Sequence, residues 1–318
     1  MHNRLFIIKS RLSVCKTLCH SLQLKQKSID VIRRNLRTSS KMANSKFDYV
    51  RSFETDDKIL PNVWIVVRID GKAFHKFSKE HQFDKPNDDR GLNLMSHAAM
   101  SVMEEFCDIV LSYGQSDEYS FVFHKTTNLY NRRSAKIMSN VCSLFTASFC
   151  FNWSKWFQSD ELKYPPSFDG RVVLYPSDQN LKDYLSWRQA DVHINNLYNT
   201  AFWNLVLKGG MTNAQAEAAL RGTVSGEKNE LLFSKFGINY NNLPAMYRKG
   251  TILLRKKVKT SEMKNRRQLI VPLHVDMIKE KFWTEHNEIL DKKPSQNYEF
   301  EKTVEELIPK LVQLQIEK

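Results

Sequence analysis

Glycine and proline are scarce in this 318-residue sequence, at 10 and 9 copies, which excludes collagen-like and low-complexity chains. No apolar run approaches the ~20 residues of a membrane span, so the expectation is a soluble chain with no membrane partner. Neither GxxxxGK[ST] nor GxGxxG occurs, which argues against P-loop and Rossmann nucleotide chemistry. The nine histidines show no HExxH or paired zinc spacing, and the five cysteines contain no CxxC. Cys15 and Cys19 fall near the N-terminus, and Cys107, Cys142 and Cys150 read as lone core thiols.

Acidic residues are nearly absent from residues 1–41, which carry ten basic side chains and one acid, Asp30. The whole chain has a formal charge of +13, but residues 42–318 hold 38 basic against 34 acidic residues. Most of the excess therefore lies in a Ser-rich, acid-poor segment with the composition of a mitochondrial transit peptide. A basic tail that touches RNA directly is the other reading. Met42 follows at once, so initiation there would give a cytosolic or nuclear form.

Hydrophobic residues at 42% and charged ones at 26% describe an ordinary globular chain. Val63–Ile69 reads as a buried strand, and Leu92, Met95, Ala99, Val102 and Phe106 as one face of a helix that starts after Pro86, Asn87 and Asp88. Asp108–Tyr113 and Tyr119–Phe123 read as a hairpin. A second long helix is expected over Ala135–Trp156, with Ile137, Val141, Leu144, Ser148 and Phe151 inward, and another strand over Val172–Tyr175. This strand–helix–strand–strand–helix–strand order is an α+β, ferredoxin-like split-βαβ core. Helices follow through Leu181–Leu207, Ala214–Leu220 and Leu231–Phe236. A late strand is expected over Thr251–Val258, then a mobile basic loop (Arg255, Lys256, Lys257, Lys259, Lys264, Arg266, Arg267). The organisation is a leader (1–41), a palm-like core (42–177), a helical part completing the same unit (178–290) and a charged tail (291–318) with a weak helical pattern over Val304–Ile316.

Asp70 closes the most hydrophobic strand and precedes Gly71, and Asp117 sits at the hairpin tip beside Ser116 and Glu118. In a split-βαβ core the first strand neighbours the hairpin, so the two carboxylates can meet. Carboxylates that close repel unless a cation lies between them, and hard oxygen ligands suit Mg²⁺. A glycine at 71 lets a backbone carbonyl and a phosphate approach that cation. Strand-ending and turn-forming aspartates are the alternative. Arg132, Arg133 and Lys136 open the second helix and are either a solvated face or phosphate contacts. His193, Asn195, Asn196 and Tyr198 are either a polar helix face or a surface for unpaired bases.

Several long stretches carry a family resemblance: SKFDYVRSF (Ser45–Phe53), VRIDGKAFH (Val67–His75), KPND (Lys85–Asp88), YGQSDEYSFVF (Tyr113–Phe123), YLSWRQADVHINNLYNT (Tyr184–Thr200) and MYRKGT (Met246–Thr251). From about residue 42 to about 290 the chain resembles the tRNA-His guanylyltransferases. The resemblance implies a polymerase-type palm in which Asp70, the backbone of Gly71 and Asp117 hold two Mg²⁺, with Glu118 as auxiliary ligand or hairpin residue. It implies a nucleotide loop of Asp70, Gly71, Lys72, Ala73, Phe74 and His75, with Lys85, Asn87, Ser116 and Asp117 contributing. Lys72 stands where the family often has Arg, which keeps the charge and loses the bidentate fork.

It further implies ATP and GTP as substrates and tRNA-His as the RNA substrate. His193, Asn195, Asn196, Tyr198 and Lys228 would then bind that RNA, toward its anticodon, and the assembly would be a homotetramer. The reaction would extend RNA at its 5′ end. A related cyclase would keep both aspartates without needing the HINNLYNT segment, and a non-catalytic RNA-binding protein would be expected to lose one of them.

Overall fold

A computed structural model describes residues 45–158, 160–258 and 267–291, together with Leu311 and Gln315. The chain divides into two compact units, at Asp56 and Asp57. The described part of the first, residues 45–56, contains a 3-10 turn, Asp48–Phe53, with an exposed Arg51–Asp48 ion pair of 3.0 Å.

The second unit begins with strand β1 (Trp64–Gly71), helix α1 (Phe74–Glu80) and helix α2 (Asp89–Glu105). Strands β2 (Ile109–Gln115) and β3 (Glu118–Phe123) form the hairpin, followed by α3 (Ser134–Phe151), α4 (Trp153–Phe157) and β4 (Phe168–Tyr175). Helices α5 (Asp178–Leu207), α6 (Asn213–Leu220), α7 (Ser225–Phe236) and α8 (Ala245–Lys249) lead to β5 (Thr251–Val258), β6 (Arg267–Leu273) and α9 (Glu280–Glu285). The six strands make one sheet ordered β4-β1-β3-β2-β5-β6 with every pair antiparallel. The first four strands have the expected ferredoxin-like order, with β1 and β2 parallel to each other across β3.

Helices cover both faces of this sheet, which is why β1 reads as an apolar run interrupted only by Arg68 before Asp70. Ile65, Val67 and Ile69 point to one face and pack with Leu94, Ala98 and Val102 of α2 and Ile137, Val141 and Phe145 of α3. Trp64 and Val66 point to the other, against Leu181, Tyr184 and Leu185 of α5. The second half of α5 forms a third cluster with α6 and α7 through Leu197, Ala201, Leu220 and Leu232. Asp88 caps α2 by accepting from the amides of Arg90 and Gly91.

Four expectations are corrected. The second long helix breaks at Asn152 into α3 and α4, and its inward face includes Phe145 and Phe149 while Phe151 is exposed. Cys107 is exposed and Cys142 and Cys150 are half-buried, so none is a core thiol. Arg255, Lys256 and Lys257 lie in β5 and Arg267 in β6, paired from Ile252↔Leu273 to Val258↔Arg267, so these four are in strands, while Lys259, Lys264 and Arg266 lie outside the described residues. Strand β6 was not expected at all. The leader lies outside the described residues, as does most of the Val304–Ile316 pattern. Among the described residues no helix is long and apolar enough to cross a membrane.

Candidate active site

Strand register brings the two aspartates together. Asp70 pairs with Glu118 across β1 and β3, and the Gly71 amide donates to the Asp117 carbonyl at 3.1 Å. Ser116 turns the hairpin with φ 47°, in the left-handed region. A Cβ on Gly71 would lie 2.6 Å from the Phe74 ring and 3.0 Å from Asp117 Cβ. No side chain fits between β1 and the hairpin tip. Burial, followed by the charge of Asp70, pushes the Asp117 carboxyl above its ordinary range, with a Ser116 hydrogen bond and His75 opposing. The site is thus a pair of carboxylates in mutual repulsion, with Ala73 (φ 51°) making the tight passage into α1.

Glu118 is 8% exposed, which excludes a solvated hairpin residue. By strand alternation it shares the α5-facing side with Arg68 and Asp70. Arg68 Nε lies 3.2 Å from one Glu118 oxygen and Arg188 Nε, from α5, 3.0 Å from the other. Arg188 also bonds Asp191 at 2.7 Å, and Arg68 Nη2 is 3.9 Å from Asp70. Neither arginine is among the site residues expected from the sequence. For Arg68 the signal is present, because a lone charge in an apolar strand needs a buried partner.

Beside the aspartates opens a cleft of about 790 Å³, walled by Gly71, Ala73, Phe74, His75, Lys85, Asn87, Ser116 and Asp117 on one side. Asn195, Asn196 and Tyr198 of α5 form the other side, with Phe202, Trp203 and Tyr247. Asn87 Nδ2 donates to Asn196 Oδ1 at 3.0 Å, and Asn196 Nδ2 donates to the Tyr240 hydroxyl at 3.1 Å. The KPND turn and the HINNLYNT segment, separate in the sequence, are therefore hydrogen-bonded to each other from the two sides of the cleft. Asn196 is buried rather than on a polar surface. Lys85 is half-buried, donates to Ser78 Oγ at 3.2 Å and sits 5.7 Å from the Trp203 ring. Burial draws its ammonium below the ordinary lysine range, against the charge of Asp88. Lys72 is exposed.

The remaining candidates do not gather there. His193 is exposed and outside the cleft wall, and Lys228 Nζ donates to the Thr223 carbonyl at 2.6 Å. Arg132 is a correction: it is buried, and its guanidinium donates to the carbonyls of Leu60, Val63, Lys125 and Thr127 at 2.7–3.3 Å, facing neither solvent nor RNA. Arg133 is exposed and paired to Asp57 at 3.3 Å, while Lys136 lies 4.7 Å from the Tyr130 ring.

Comparison with known proteins adds to this geometry. The family model described as tRNAHis guanylyltransferase matches residues 47–176, and the Thg1 C terminal domain matches residues 179–308. A "Probable tRNA(His) guanylyltransferase" of Drosophila melanogaster is 66% identical over 86% of this chain and 94% of its own. The Schizosaccharomyces pombe tRNA(His) guanylyltransferase is 57% identical over 76% and 96%. A crystal structure of the Saccharomyces cerevisiae enzyme superposes with a TM-score of 0.64 at 51% identity, covering 66% of this chain and 93% of that one. A bacterial Thg1-like protein in complex with ATP shares the fold at TM-score 0.61 and 22% identity, over 78% of this chain and 97% of that one.

Proposed function

The chain belongs to the tRNA(His) guanylyltransferase family of nucleotidyltransferases, and from that premise we propose that it adds guanylate to the 5′ end of tRNA(His), with Asp70 and Asp117 as the catalytic carboxylates. The observation that carries the assignment is the half-buried Asp70–Asp117 pair, held together by strand register, whose repulsion a divalent cation relieves. No group of three metal-capable side chains occurs among the described residues. Two carboxylates and the Gly71 carbonyl suit Mg²⁺, which keeps waters and substrate phosphates for its other positions. When bound, two such ions favour the attacking hydroxyl as alkoxide and offset charge on the leaving oxygen.

The cleft supplies the rest. Asn87, Asn195 and Asn196 offer amide donors and acceptors, and Tyr198, Phe202 and Trp203 offer faces for a nucleobase. The tRNA 5′-phosphate is first adenylylated by ATP with loss of pyrophosphate. The GTP 3′-hydroxyl then attacks that phosphorus, forming the new phosphodiester and expelling AMP, and the triphosphate on the added guanosine later loses pyrophosphate. Holding the hydroxyl and phosphate in line is most of the work the protein does.

The deciding measurement is transfer of labelled GTP to tRNA(His) in Mg²⁺ and ATP. Asp70→Asn and Asp117→Asn are expected to lower the rate by roughly a thousandfold or more while tRNA binding persists. Undiminished transfer by either variant refutes the assignment. A wild-type chain that binds tRNA and transfers nothing supports a non-catalytic role instead. Outside the described residues, the composition of 1–41 supports mitochondrial targeting, which a reporter fusion checks, and the family resemblance supports a homotetramer, which sedimentation checks.

A further inference from the structure

Six tryptophans are present, and Trp187 is the exposed one, at 56%. Trp64, Trp153 and Trp283 are buried, and Trp156 and Trp203 are half-buried. Trp187 lies outside the cleft wall, so nothing assigned to the site accounts for it. Its ring is contacted by the Arg188 guanidinium, whose carbon lies 4.3 Å from the ring centroid, and by Tyr184 edge-on at 6.3 Å. Arg188 is itself fixed through Glu118 and Asp191. The indole is thus supported by two ring contacts while more than half exposed, and an exposed aromatic face is what a single-stranded nucleobase stacks on.

Its place in the molecule says which end of the RNA. Trp187, Arg188, Glu118, Arg68 and Asp70 form an unbroken chain of contacts ending at the catalytic carboxylates. Arg171 stands directly across the β1–β4 ladder from Arg68, two like charges on one face of the sheet. Its side chain is 53% exposed and meets Asp169 at a loose 3.5 Å, which leaves guanidinium donors for a phosphate.

We infer that Trp187 and Arg171 form a platform for the unpaired acceptor end of the RNA substrate, Trp187 stacking a base and Arg171 contacting the backbone next to the reacting 5′-phosphate. The inference rests on the proposed tRNA substrate. The unpaired base comes either from the 3′ overhang or from the 5′-terminal nucleotide, and the experiment separates the two.

Steady-state transfer to a 5′-monophosphorylated tRNA(His) transcript tests it. Trp187→Ala is expected to raise KM for the transcript about tenfold, with kcat and the KM for GTP and ATP unchanged, and Trp187→Phe to recover most of the loss. Arg171→Gln is expected to raise the same KM and to flatten its salt dependence. On a transcript trimmed of its unpaired 3′ nucleotides, disappearance of the Trp187→Ala penalty assigns the base to the 3′ overhang, and persistence assigns it to the 5′ nucleotide.

An unchanged transcript KM in Trp187→Ala overturns the platform. So does a multimer that dissociates in that variant while transcript affinity stays put, which would give the face to a second copy. If the wild type transfers no guanylate, direct binding of labelled transcript still decides. Trp187-dependent binding would keep the platform and discard only the family chemistry.

Discussion

Arg132 follows Tyr130 and Asn131 in a run of three residues with φ between 50° and 61°, a left-handed conformation that costs non-glycine residues energy. Its four bonds to carbonyls offset that cost and tie residues 60–63 to residues 125–127. Arg132→Ala leaves those carbonyls without their charged donor and is expected to destabilise the fold by about 3 kcal/mol, read as a lower denaturant midpoint. The KM for tRNA of the folded fraction should not move. A raised KM at unchanged stability would restore Arg132 to the RNA surface. Arg133, one residue on, is exposed, and the sequence distinguishes the two no better than as neighbours in a basic run. Glu118 shows the same limit. Its position at the hairpin tip was legible, but its two partners come from 50 residues before and 70 after, and only register and helix rotation bring them to it.

At the scale of the element, α5 carries most of the site. Its 30 residues cross the sheet and continue into a separate cluster. One stretch of it sends Arg188 to Glu118, Trp187 outward and Asn196 to Asn87. Hydrophobic periodicity revealed the helix, but not the cleft between it and the KPND turn. Strand β5 shows why a basic run misleads. Lys256 is buried, donating to Glu288 at 2.7 Å and to His286 Nδ1 at 2.9 Å. Despite burial, the His286 and Lys256 hydrogen bonds hold the Glu288 carboxyl at about 2, from an ordinary 4.5. A depressed carboxyl stabilises fully above its unfolded value, so this contribution is complete above pH 4.5 and fades as pH falls toward 2. Glu288→Gln is expected to cost about 2 kcal/mol at pH 6. The gap from wild type should narrow on acidification through that window, and a gap independent of pH would refute it.

Across the whole molecule, the sheet ends on β6, an edge that would invite pairing with another chain if left open. Leu311 is buried in the core cluster beside Ile270 and Leu253. The Gln315 amide accepts from the Ile270 N–H at 2.9 Å and donates to its carbonyl at 2.8 Å, standing in for a neighbouring strand. Both residues lie beyond the family match, which ends at residue 308. A chain ending at residue 310 is expected to lose about 3 kcal/mol, the cost of emptying a buried leucine site, and to associate with rising concentration in light scattering. A truncated chain that melts and scatters like the full one would show that the tail closes nothing.

The sequence by itself determined the strand–helix order of the ferredoxin-like core, the placing of two aspartates at strand ends, and the concentration of the +13 charge in residues 1–41. Each of these depends on local periodicity or on counting. Tertiary structure decided that Glu118 is locked between arginines, that Asn87 and Asn196 are hydrogen-bonded across the cleft, that Arg132 is a brace, and that Lys256 is buried. The physical reason is common to all four. A polar side chain's role depends on whether burial supplies it with a partner, and partners tens of residues away are chosen by strand register and helix rotation, which a pattern along one chain leaves open.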